Sequence, residues 1–517
     1  MSIAGNDNQK CLMDSNIFSA RVTLYYSVEN IVSIDYVKQD TYRERGSVQS
    51  VCWRQYGPQA FRLAKENNLP VFLVSGTTWS SRCFQLDNEA FFEGETAELI
   101  NDNFVPVRID RDESPDLDFH LQRAVGVLSQ ERGWPLLAFL TAEGKFFFGG
   151  TYYSKTSMPN RPSFANLLET IVEVWNREQD QVEVAAVSLE RALEKKENLR
   201  CLDDDLVEDG LAVLLAKYDL ENGGFNTPQG KRLWPGALEL LLAVAQSGTQ
   251  DLEYMVEKTL IHMGRGAVFD QIGGGFFRRT HDDMWLVPSF EKLLCDNTEM
   301  LRVYLLFYRV SGNSFFAEIA SRTIDYLFCE LCDLESGGFY ASQAADEEYY
   351  VWTTEDVMKA VPVDCVKAIG HHFHFQPGVN NIPYRALDSS VIAKKFSQES
   401  DFTIEQRIAR GKNSLYAYRQ RKTCPFIDRR IFTGWNVKAV EAFEMAGRIL
   451  GRKDCTEFAK ISKNRIKDQD QMAIFDQIED NFGPSRLSQS LNNFKKANIQ
   501  DLGPSHGSLL HALFMSK

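Results

Sequence analysis

Three short segments share one pattern: Asp219-Leu-Glu-Asn-Gly-Gly-Phe225, Asp270-Gln-Ile-Gly-Gly-Gly-Phe276 and Asp333-Leu-Glu-Ser-Gly-Gly-Phe339. Asp219 and Asp270 are 51 residues apart, Asp270 and Asp333 are 63 apart, and apolar periodicity between and beyond them is helical almost throughout. Repetition on that scale means stacked supersecondary units. Helices are expected over 164–198, 208–218, 236–247, 251–264, 290–310, 315–332, 355–361, 403–421, 434–450 and 454–466. Each copy then follows one helix and precedes the next, with a helix pair between copies, so all three loops gather at one end of a bundle. The glycines suit helix exits through positive φ.

Upstream the pattern changes. A helix over Pro58 to Asn68, a buried strand Leu69-Pro-Val-Phe-Leu-Val74, a strand Phe104 to Ile109, a helix near Leu117 to Val127 and a hairpin around Glu143-Gly144 describe an α/β layer domain. The expected division is an extension over 1–45, this domain over 46–180 and the helical domain over 181–517. The chain carries 57 Lys+Arg against 71 Asp+Glu, a net charge of −14, which excludes a general phosphate-backbone binder of nucleic acid. No run approaches the roughly 18 apolar residues of a membrane span, and Met1 to Ser15 is too polar for a signal core. With ten dispersed cysteines, a soluble, cytoplasmic protein in a reducing compartment is expected. Cys329 and Cys332 fall in an apolar-periodic run and read as buried helix-face thiols, with a redox or metal role as the alternative.

Val51-Cys-Trp-Arg-Gln-Tyr-Gly57, Leu69-Pro-Val-Phe-Leu, Gly133-Trp-Pro135, Phe148-Gly-Gly-Thr-Tyr152, Gly273-Gly-Gly-Phe276, Pro288-Ser-Phe-Glu-Lys-Leu-Leu-Cys-Asp-Asn297, Tyr350-Val-Trp-Thr and Trp435-Asn436 together resemble the spermatogenesis-associated protein 20 type family. The resemblance spans about residues 48 to 450. It implies an α/β plus all-α chain: a thioredoxin-like domain followed by an (α/α)6 toroid of six-hairpin glycosidase type, similar also to N-acylglucosamine epimerases. The chain departs from that pattern in several places. Where the family has C-x-x-C, this chain has Ser80-Ser-Arg-Cys83; the family's Pro-His-Phe-Glu-Lys is Pro288-Ser-Phe-Glu-Lys292, its Asp-Ala-Asp is Gln343-Ala-Ala345, and its Asp-Asp-Lys is Asp428-Arg-Arg430. Dithiol exchange needs one sulfur to attack and one to resolve, so disulfide reductase activity is not expected. Ala497 to Leu502 is similar to a late toroid helix after which relatives continue, which leaves three alternatives for an incomplete toroid: a protein partner covers its C-terminal end, the closure differs, or the chain is a truncated product.

Two candidate sites follow. In the degenerate redox corner, with Ser80, Cys83 and the Trp134-Pro135 that matches the thioredoxin cis-proline, Cys83 is either a structural thiol or a reactive monothiol at a helix N-terminus. Around the second glycine loop, Asp270, Arg278, Asp282, Trp285, Glu291, Asp296 and Asn297, joined by Trp435 and Asn436, carry the residue types of a sugar pocket. Carboxylates (Asp282 and Glu291 as catalytic candidates) supply acid–base chemistry, and aromatic faces supply stacking. The same residues allow a second reading as loop anchors and helix caps. His371, His372 and His374 lack a recognisable ligand spacing, and no metal or cofactor is expected. A sugar-like ligand bound or modified on the toroid face, by epimerase-like or hydrolase-like chemistry if the protein is an enzyme, is the leading expectation; a non-catalytic scaffold and a Cys83 redox sensor are the alternatives.

Overall fold

A computed structural model describes residues 41–468, except 93, 130, 160, 195–203, 246–249 and 397–398. The alternation at Val22 to Val28 and the Ala497 to Leu502 segment lie outside the described residues. The chain clusters into two compact units that divide near residue 201.

The first unit contains α1 (Tyr42–Arg45), α2 (Pro58–Asn67), β1 (Val71–Gly76), α3 (Ser81–Leu86), α4 (Gly94–Asn103), β2 (Val105–Asp110), α5 (Pro115–Leu128), β3 (Leu136–Leu140), β4 (Phe146–Gly150) and α6 (Phe164–Glu194). The strands form one sheet in the order β2-β1-β3-β4, with β1 parallel to β2 and antiparallel to β3, and β3 antiparallel to β4. This is the thioredoxin-like arrangement. Successive strand residues point to opposite faces: Phe72 and Val74 pack with Cys83, Phe91, Phe104 and Phe164, while Val71 and Leu73 pack with Ala60, Ala64, Leu121 and Val125. Covered on both sides, β1 and β2 are buried along their whole length and read as continuous apolar runs.

Both boundaries of this unit differ from the sequence expectation. Tyr42 is fully buried and its backbone N–H donates to Asp110 Oδ2 at 3.0 Å, so residues 41–45 belong to the unit and not to an extension. At the other end α6 breaks helical geometry at Glu178 (φ −132°, ψ 28°). Its first half, with Leu167, Leu168 and Ile171, packs on one sheet face, and its second half brings Leu189 and Leu193 to the other. Residues 181–194 therefore stay with the sheet.

The second unit contains α7 (Asp204–Lys217), β5 (Asn226–Thr227), β6 (Gly230–Arg232), α8 (Pro235–Ala245), α9 (Gln250–Arg265), β7 (Arg279–Thr280), β8 (Lys292–Leu293), α10 (Leu294–Ser311), α11 (Ser314–Tyr326), β9 (Ser342–Gln343), α12 (Glu347–Tyr350), α13 (Thr354–Ala360), α14 (Val363–Phe373), α15 (Ser389–Phe396), α16 (Asp401–Arg419), β10 (Ile427–Asp428), α17 (Thr433–Leu450) and α18 (Lys453–Asp468). Helices α8, α10 and α17 pack side by side as an inner layer, and each is followed by its outer partner, α9, α11 or α18. These are successive hairpins of an α/α toroid, each entered through one glycine loop. Leu238, Leu241, Leu301, Leu305, Val440 and Phe443 fill the core between the layers. The run α12–α16 is inserted between β9 and β10, which pair with each other in one small sheet with β8. Helix α10 starts at Leu294 and not at 290, because Phe290 has φ +65° and Lys292–Leu293 extends to pair with β9. Helix α11 ends at Tyr326 and widens through Leu327–Leu331, leaving Cys332 buried but Cys329 exposed.

Candidate functional site

Each glycine loop is closed in the same way. The aspartate N–H donates to the carbonyl of the last glycine, at 2.9 Å for Asp219 to Gly224, 2.9 Å for Asp270 to Gly275 and 3.0 Å for Asp333 to Gly338. A cation then bridges the aspartate side chain and a glycine carbonyl. Lys231 Nζ lies 2.5 Å from Asp219 Oδ2 and 2.6 Å from Gly223 O, and Lys292 Nζ lies 2.8 Å from both Asp270 Oδ2 and Gly274 O. In the third loop Arg465 does the same, 2.7 Å from Asp333 Oδ2 and bonded to Gly337 O. Positive φ is obligatory here: at Gly275 (φ +76°) an added Cβ would meet the Tyr326 ring at 2.4 Å.

Most of the candidate residues of the second loop are engaged in building it. Asp270 takes Arg419 bidentately at 3.0 and 2.9 Å, besides Lys292. Burial alone would push its carboxyl up, but Arg419 and Lys292 hold it well below the usual carboxylate range. Asn297 accepts from Phe276 N–H at 2.6 Å and donates to Phe276 O at 3.0 Å; Asn436 does the same with Phe339 at 2.7 and 3.0 Å. Both amides latch a loop to an inner helix. Asp282 accepts from the N–H groups of Met284, Leu286 and Val287 at 2.7–3.1 Å, organising its own turn. Trp285, expected as a stacking face, is fully buried with φ +66°; its Nε1 donates to Asn222 O at 3.1 Å and its ring lies against Gly224. Glu291 is buried ahead of β8, not on a helix, with Arg278 Nη1 3.6 Å from Oε1. Burial raises its pKa, against the pull of Arg278.

Asp296 and Trp435 occupy a different position. Each immediately precedes its latch asparagine, and each begins a stripe at helical spacing: Asp296, Glu299 and Arg302 on α10, Trp435, Lys438 and Glu441 on α17. Adjacent inner helices are joined across these stripes. Lys438 Nζ is 2.6 Å from Glu299 Oε1, and Arg302 reaches Glu441 Oε2 at 3.1 Å and Glu239 of α8 at 3.2 Å. The side chains stay part-exposed, Arg302 at 27% and Glu441 at 40%. Sequence reasoning passed over this ladder, although Asp-Asn-x-Glu-x-x-Arg and Trp-Asn-x-Lys-x-x-Glu carry the signal in matching register.

In the redox corner Ser80 caps α3, its Oγ accepting from Cys83 N–H at 3.4 Å. The Cys83 thiol is fully buried, and burial pushes it up to about 12. The Trp134–Pro135 peptide is cis. Trp134 Nε1 and Ser75 Oγ donate to Asp118 Oδ1 at 2.9 and 2.6 Å, and burial raises the pKa of that carboxyl. Behind Cys83 lies a fully buried bidentate pair, Arg108 to Asp87 at 2.9 and 2.7 Å. His372, on α14, bonds Leu387 O through Nδ1 at 2.7 Å, and His374 ends that helix in the left-handed region. Among the described residues no group of three or more His, Cys, Asp or Glu side chains has metal-holding geometry, and no helix is long and apolar enough to cross a membrane.

Residues 36–194 match the family described as "Protein of unknown function, DUF255", a DsbH-type thioredoxin family. Spermatogenesis-associated protein 20 of Rattus norvegicus is 27% identical over 468 residues, 81% of this chain and 59% of its own length. The Homo sapiens protein of the same name is 27% identical over 79% of this chain and 58% of its own length. The aligned stretch thus spans about three fifths of these relatives. Among solved structures, a DsbH oxidoreductase aligns with 29% of this chain and 96% of its own at 16% identity and a TM-score of 0.19. A cellobiose 2-epimerase from Spirochaeta thermophila aligns with 50% of this chain and 81% of its own at 16% identity and a TM-score of 0.23. With its thioredoxin-like sheet, its glycine-loop hairpins and this extended similarity, the chain is similar over about four fifths of its length to proteins of the spermatogenesis-associated protein 20 type.

Proposed function

We propose that this protein binds a small hydroxyl-rich, sugar-like ligand on the inner-helix face of its helical unit, and that its thioredoxin-like unit works without dithiol exchange in a reducing, cytoplasmic setting. The observation carrying this reading is the register of the ladder: Glu239, Glu299, Arg302, Lys438 and Glu441, part-exposed and already aligned by mutual ion pairs, with half-buried Trp435 at its glycine-loop end. A few convergent polar groups beside an aromatic face are what small polar ligands require. Binding without turnover fits best, because Asp282 is occupied in holding three backbone N–H groups of its own turn. Ser80 at the first cysteine position and the buried Cys83 thiol support the absence of disulfide exchange.

The test is thermal unfolding of wild type and Trp435→Ala with amino sugars, hexoses and uronic acids. A ligand present at about a hundred times its dissociation constant stabilises the folded state by about 2.7 kcal/mol. The wild type should melt higher with at least one sugar class and the variant should not respond. A wild type indifferent to every sugar overturns the reading.

A further inference from the structure

Helix α17 starts without a cap. Its N-cap residue is Phe432, which has no side-chain acceptor to offer the first turn, at a position where Ser, Thr, Asn or Asp is usual. In α13 and α16 the side chains of Thr353 and Ser400 fill that role. The N–H of Asn436, fourth in α17, reaches Phe432 O at 3.0 Å. Among the described residues, the three N–H groups ahead of it, those of Thr433, Gly434 and Trp435, have no acceptor. The space in front of them is open: Gly434 is exposed, and a Cβ added to it would meet nothing within 4 Å.

A second group faces the same place. Register in the small sheet sets Ser342 of β9 opposite Leu293 of β8 and Asp428 of β10, so the three side chains share one face. Asp428 takes Arg430, with Nε 2.9 Å from Oδ1 and Nη2 2.5 Å from Oδ2, and that guanidinium lies 5.1 Å over the Phe432 ring. The face of the sheet that carries Ser342 is therefore the face over which α17 begins. Ser342 is 1% exposed, and its Oγ has no hydrogen-bond partner among the described residues. A buried hydroxyl in that state is costly and is satisfied by an incoming oxygen. Asp428 does not repel such an oxygen strongly, because it is fully buried and its charge is answered by Arg430. Half-buried Trp435, its ring 5.1 Å from that of Phe432, supplies an aromatic wall.

We infer that the first turn of α17, together with Ser342, holds the anionic group of an acidic sugar, a carboxylate or a phosphate, at the glycine-loop end of the inner-helix face. The inference rests on the sugar-binding reading of that face proposed above and names its ligand class. Three free N–H groups at the positive end of an 18-residue helix favour an anion, and the Ser342 hydroxyl donates to one of its oxygens. The net charge of −14 works against unspecific uptake of anions, so a preference for acidic sugars has to come from this local geometry.

Calorimetric titration of the full chain with glucose, glucuronate and glucose 6-phosphate at neutral pH and matched ionic strength tests this. Wild type should bind at least one of the acidic sugars about tenfold or more tighter than glucose. The tighter of the two identifies the group as carboxylate or phosphate, and either supports the site. Gly434→Asp places a carboxylate of the protein's own in the open space at the second helical position. It should weaken acidic-sugar binding by about tenfold or more without lowering the melting temperature, whereas Gly434→Asn, of the same size but neutral, should stay within about threefold of wild type. Ser342→Ala should weaken the acidic sugars by about threefold and leave glucose as it was. Glucose binding as tightly as the acidic sugars or more so, or Gly434→Asp binding acidic sugars as wild type does, overturns the inference and leaves the sugar reading standing. A wild type that binds none of the three overturns the sugar reading itself, and the inference with it.

Discussion

At the residue scale, burial decides what the reactive-looking groups can do. Cys83 sits where a helix N-terminus would favour a thiolate, but full burial outweighs that effect and raises the thiol to about 12. Brief alkylation of the native protein at neutral pH should therefore label exposed Cys52 and Cys329 while sparing Cys83, which should react only on unfolding; peptide mass spectrometry reads the result. Asp118 obeys the same rule. Burial raises its folded-state pKa, so from about pH 4, its unfolded value, up to the raised value the folded state holds the extra proton and stability falls as pH rises. Asp118→Asn keeps an oxygen to accept from Ser75 and Trp134, so it should remove that fall and leave a flatter stability–pH profile in urea titrations. Asp270 is the opposite case: its two cations keep it charged, and Asp270→Asn leaves Arg419 and Lys292 buried without a counter-charge, a loss of about 3 to 5 kcal/mol by denaturant unfolding.

At the element scale, the glycine loops act as hinges between hairpins whose geometry is held by cations and amides. Two glycines in the left-handed region separate backbone strain from steric overlap. Gly312 (φ +65°) ends α10 with nothing within 4 Å of an added Cβ, so Gly312→Ala should cost only about 1 kcal/mol. Gly275→Ala meets the Tyr326 ring as well and should cost at least about 2 kcal/mol. Chemical denaturation of the two variants distinguishes them. The loops, their spacing and the hairpins between them were legible because helix periodicity and glycine exits are local properties. Helix α14 was not anticipated, since Val363–Phe373 is short and bounded by Pro362 and a left-handed His374. The start of α10 moved for a non-local reason: Lys292 is drawn into a strand by β9 and into an ion pair by Asp270.

For the whole molecule, each unit carries a core of its own, one around the sheet and one between the helix layers. Asn297→Ala, which strips a loop latch from the helical unit, and Asp118→Asn in the sheet unit should accordingly have additive effects on stability, with a coupling within about 0.5 kcal/mol in a double-mutant cycle. Continuous apolar runs and helical periodicity by themselves determined the layered sheet and the helical second half, because such patterns are set by residue neighbours along the chain. The degenerate Ser80 to Cys83 corner was equally plain. Which polar residues remained available to a ligand was decided only in three dimensions. Asp270, Asp282 and Asn297 have the same side-chain chemistry whether they hold a sugar or a loop, and the choice was made by partners as distant as Arg419, 149 residues along the chain.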